Sequence, residues 1–69
     1  MTQKELLYIE DAIKHEDNII AYLKDIANIL DEDKLVSFIE KQIKQHEGIH
    51  KILIKALEDE INEWSSING

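Results

Sequence analysis

Five residues in the middle of the chain, His46-Glu47-Gly48-Ile49-His50, carry metal-binding side chains at spacings that fit two different kinds of site. Read as His-Glu-x-x-His on a helix, they place two imidazoles one turn apart to hold zinc, with the glutamate as general base of a hydrolase. Read as Glu47-x-x-His50, they form the carboxylate-imidazole pair that some four-helix bundles aim inward at a di-iron centre. The two cannot both hold.

The hydrolase reading requires a third protein ligand from a later element and a walled cleft for substrate. Leu53 through Asn68 contain no further His, and the acids there, Glu58, Asp59, Glu60 and Glu63, lie further along the same rigid rod. A zinc protease is therefore not the expectation, despite the five-residue match.

The elements that must position these residues are helical. The chain has no Pro, Gly only at Gly48 and Gly69, and abundant Leu, Ile, Ala, Glu and Lys. Apolar periodicity breaks once, at Leu30-Asp31-Glu32-Asp33-Lys34, where an acidic residue can cap a second helix. The pattern predicts an all-α, antiparallel two-helix hairpin occupying residues 1–64 as a single domain. One helix is expected from Gln3 to Leu30, another from Asp33 to Trp64, and a disordered tail over 65–69.

On the first helix, Leu6, Ile9, Ile13, Ile20, Leu23, Ala27 and Leu30 recur at spacings of three and four, with Glu16 in the slot between Ile13 and Ile20. Ala12, Ile19 and Ile26 widen that face, while Asp11, Lys14, Asp17, Asn18, Lys24 and Asp25 cover the back. On the second, Val36, Ile43, Glu47, His50, Ile54, Leu57, Ile61 and Trp64 form a row flanked by Ile39, His46, Ile49, Leu53 and Ala56. Each apolar stripe is broader than one partner helix covers. Dimerisation into a four-helix bundle is the expected remedy, with Ile13, Ile20, Leu23, Ile43, Leu53 and Leu57 inside.

Counting outward from the turn puts Glu16 and Glu47 at one level, and His50 one turn further on can reach back to it. Two hairpins would contribute four carboxylates and two imidazoles, with His46 on the flank as a further ligand. Hard carboxylate oxygens with imidazole suit a di-metal site of iron or manganese; zinc is the weaker fit. Each residue also has a plainer use. A seam glutamate can pair with a lysine across the helices, His15 and His46 can sit at the seam boundary, and Tyr8, Tyr22, Phe38 and Trp64 can serve as packing residues.

Composition narrows the partners. A net charge of −7 with eight Lys and no Arg argues against nucleic acid or an anionic membrane surface. No apolar run approaches the ~20 residues of a membrane span. The start, Met1-Thr2-Gln3-Lys4-Glu5, lacks a signal-peptide pattern, so a cytoplasmic homo-oligomer is the expectation. The lack of Cys excludes disulfides and thiolate sites.

With these residues in view, the chain is similar to half-size members of the ferritin-like superfamily, in which a two-helix chain self-associates to make the four-helix unit, as in encapsulated ferritins and rubrerythrin-like fragments. More closely, Glu5-Leu6-Leu7-Tyr8-Ile9-Glu10-Asp11-Ala12 followed by His15-Glu16 resembles the opening of short spore coat F-type proteins of endospore-forming bacteria. The likeness spans both helices; its first-helix segment is specific and its second-helix match is one of pattern. The ferritin-like motif implies Glu16, Glu47 and His50 as metal ligands, with at most a ferroxidase or peroxide-handling activity. The coat-type likeness implies a structural role with no metal and a spore-associated location.

Overall fold

The computed structural model describes residues 1–68. Among them the chain is all-helical, as two antiparallel helices: α1, Gln3–Ile29, and α2, Asp33–Asn68. A capping box starts α1. The Thr2 hydroxyl accepts from the Glu5 N–H at 3.1 Å, and the Thr2 N–H donates to Glu5 Oε1 at 2.9 Å, so two amides with no intrahelical partner are satisfied reciprocally. Hydrogen bonding to Thr2, its backbone N–H first and its side chain second, holds the Glu5 carboxyl below its ordinary pKa.

The turn comes where the apolar pattern fails. Leu30 leaves the helix in extended backbone while its N–H still donates to the Ile26 carbonyl. The Val36 N–H then donates to Glu32 O at 3.0 Å, and Asp33 sits in the first turn, where its charge complements the helix N-terminus. At the other end α2 runs past the expected stop at Trp64 to Asn68. Ser65, Ser66, Ile67 and Asn68 include neither Gly nor Pro, and their small propensity costs do not break a helix already propagating. Ser65, Ser66 and Ile67 are exposed, and Gly69 lies outside the described residues.

The helices meet along one seam. Leu6, Ile9, Ile13, Ile20, Leu23 and Ala27 on α1 and Leu30 just beyond it are half-buried, as are Val36, Ile39, Ile43, Leu53 and Leu57 on α2. The open end is tied by the terminal ammonium of Met1, 3.2 Å from Glu60 Oε1; the hydrogen bond to Glu60 raises the ammonium's pKa. No described residue is fully buried. The hairpin measures 53 × 17 × 13 Å with a radius of gyration of 16.0 Å, against about 11 Å for a compact domain of this length. None of its described helices is long and apolar enough to cross a membrane.

Candidate functional site

Halfway along the seam the apolar ladder gives way to charge. Glu16 Oε2 and His46 Nδ1 lie 2.5 Å apart, with the two side chains only 12% and 25% exposed. One residue further along α1, Asp17 Oδ1 lies 2.8 Å from His50 Nε2. Two acid-imidazole pairs thus cross the hairpin side by side, their acids adjacent on α1 and their histidines one turn apart on α2.

Backbone geometry explains both. Glu16 and His46 are nearly equidistant from the turn, and each occupies the inward slot of its helix between aliphatic neighbours, Ile13 and Ile20 on one side and Ile43 and Leu53 on the other. Asp17 is rotated about 100° from Glu16, to the edge of the seam, and His50 leans to the same edge from α2.

The expected meeting of Glu16 with Glu47 and His50 is not what a single hairpin forms. Glu16 meets His46 and His50 meets Asp17, while Glu47 is exposed and has neither hydrogen bond nor ion pair. The row containing Glu47, Ile54 and Ile61 lies at the rim of the contact, and the row containing Ile39, His46 and Leu53 fills it. Asp17, assigned to the back of α1 from periodicity, is the partner of His50 that sequence reasoning missed. Its signal was a seam-edge carboxylate at the level of a histidine-rich segment. His15 is exposed and remains outside both pairs.

Chemically, the pairs orient the two imidazole rings. With its proton on Nδ1, His46 donates to the Glu16 carboxylate, which fixes the ring and leaves the lone pair of Nε2 to accept a hydrogen bond or to ligate a metal. His50 uses the opposite nitrogen on Asp17 and keeps Nδ1. Among the described residues no group of three or more His, Asp or Glu converges as a metal cluster within one chain. A site of the ferritin-like kind would need donors from a second hairpin. No protein-family model matches the chain, and no curated protein or solved structure does either.

Proposed function

We propose that the chain is a self-associating assembly module, two copies of which close into a ferritin-like four-helix bundle with a structural role of the spore coat F type, in the cytoplasm or on the spore. The observation that carries this reading is the missing core. The described residues include no fully buried side chain, yet the chain keeps two long amphipathic helices. A half-buried seam offsets only part of the entropy of ordering such a chain. The remaining apolar surface has to be covered for the fold to be stable.

The two acid-imidazole pairs support a second reading, in which two hairpins share an iron or manganese site built from Glu16, His46 and His50, with Glu47 as the exposed, unpartnered carboxylate at the same level. Such a bundle would handle iron or peroxide. A protease is not the reading proposed, since among the described residues no third ligand stands with His46 and His50.

Metal analysis of protein purified without chelator or metal-affinity resin separates the two readings. Stoichiometric iron or manganese, lost in both Glu16→Ala and Glu47→Ala with helical circular dichroism intact, selects the metal reading. A metal-free dimer whose melting is indifferent to added Mn²⁺ and Fe²⁺ selects the structural one.

A further inference from the structure

Resting on the reading of the chain as a self-associating hairpin, we infer which of its faces docks and what occupies it. The broad side formed by Tyr8, Ile19 and Tyr22 of α1 with Phe38, Ile49 and Ile52 of α2 is the surface on which a second copy of the hairpin packs.

The rotation of the helices makes this one surface. On each helix these residues belong to rows one position before the seam rows, so they are turned by about 100° from the seam. Because the helices are antiparallel, stepping back one position swings the side chain toward the same side of the hairpin on both. The pairing of Asp17 with His50 marks the opposite side. The result is strongly asymmetric. Tyr8, Tyr22, Ile29, Leu35, Phe38 and Ile52 are all exposed on the docking side, Tyr22 at 67% and Ile52 at 70%. From Tyr8 to Ile29 and from Leu35 to Ala56 this side contains no Lys, Asp or Glu. At the same levels the other side exposes Glu10, Asp17, Lys24, Glu40 and Glu47. Depletion of charge with retention of aromatic residues is the composition of an interface core.

Three features name the occupant as a second copy. Each helix carries two apolar stripes about a quarter-turn apart, which is what a helix at the corner of a four-helix square requires to touch two neighbours. Both helices contribute a stripe of similar length, so the covering object is as wide and as long as the hairpin itself. The area also fits. The hairpin exposes 5598 Å², whereas a compact dimer of two such chains exposes roughly 7,500 Å². Two hairpins reach that figure by burying about 3,700 Å² between them, within the range of obligate homodimers. The −7 charge of each copy is no obstacle between Tyr8 and Ile29 or between Leu35 and Ala56, where the rows of this face hold no acid. Docking there closes over Glu16 and His46 and leaves Glu47 on the outside.

Sedimentation velocity on the wild type and on Tyr22→Lys, Ile52→Lys and Glu47→Lys tests the face. Both residues on the docking side are more than half exposed in the lone hairpin, so their substitution leaves its own seam intact. Each of the first two variants is expected to weaken dimerisation on the order of 30-fold or more, the loss given by an interface hot spot; Glu47→Lys is expected to stay dimeric. The absence of Cys allows a second reading by single thiols. In the dimer, Gln45→Cys should react with a maleimide on the order of tenfold more slowly than Glu47→Cys, and on dilution the two rates should converge. A dimer that survives both lysines on the docking side, or in which Gln45→Cys labels as fast as Glu47→Cys, overturns the assignment of the face while leaving self-association standing. A monomeric wild type overturns self-association itself.

Discussion

Glu16 occupies a position where an aliphatic side chain would complete the ladder from Ile13 to Ile20, and His46 does the same between Ile43 and Leu53. Partly buried charge is expensive unless it is paired, and this pair is short and shielded enough for each group to depend on the other. Removing one partner should therefore cost more than removing both. Glu16→Leu and His46→Leu are each expected to be worse tolerated than the double variant, which restores an apolar seam and should be neutral or more stable than wild type. In a double-mutant cycle by urea denaturation at fixed protein concentration, the coupling should be about 0.5–2 kcal/mol. Additivity within about 0.3 kcal/mol would show that the two side chains are neighbours without being partners. The Asp17–His50 pair, with the acid 61% exposed, should show a smaller coupling because water screens it.

At the scale of the helices, position along the axis was legible in the sequence and rotation about it was not. Counting equal distances from the Asp31-Glu32 turn places the polar interruption of both helices at one level, and there Glu16 meets His46 rather than Glu47. An error of one residue moves a side chain only about 1.5 Å along a helix but swings it by about 100° around it. The apolar arc of α2 runs from Phe38 and Ile52 through Ile43 and Leu57 to Ile54 and Ile61, so periodicity alone cannot tell whether its centre lies on the His46 row or the Glu47 row. The choice is made by packing against α1, which no count along one helix contains. The same rotation places Gly48 on the outer face of α2, where an added Cβ meets nothing within 4 Å. Its backbone is ordinary helix. Gly48→Ala should therefore remove only the entropy cost of glycine and stabilise by roughly 0.5–1 kcal/mol. That corresponds to a rise of a few degrees in melting temperature for a unit of this size. A lower melting temperature would mean that a partner's backbone approaches Gly48 closely.

The whole molecule is a rod 53 Å long, its length set by the 36 residues of α2, since a helix rises about 1.5 Å per residue. Its described residues include no fully buried side chain, so if the proposed dimer forms, folding and association should be one event rather than two. If dimer and unfolded chains are the only populated states, the melting temperature must rise with protein concentration, because mass action favours the associated state. A hundredfold increase contributes about 2.7 kcal/mol per dimer. Divided by an unfolding entropy near 2.1 cal/mol/K per residue over two chains, that is a rise of about 9 °C. Raising ionic strength should add to it by screening repulsion between two acidic copies, without altering the concentration slope. Thermal melts followed by helical circular dichroism across that concentration range provide the measurement. A lone hairpin would melt at one temperature throughout. A dimer assembled from hairpins already stable by themselves would lose its association signal on dilution while keeping its helicity, and the exposed aromatic face would then be a binding surface on a finished fold rather than part of what makes the fold possible.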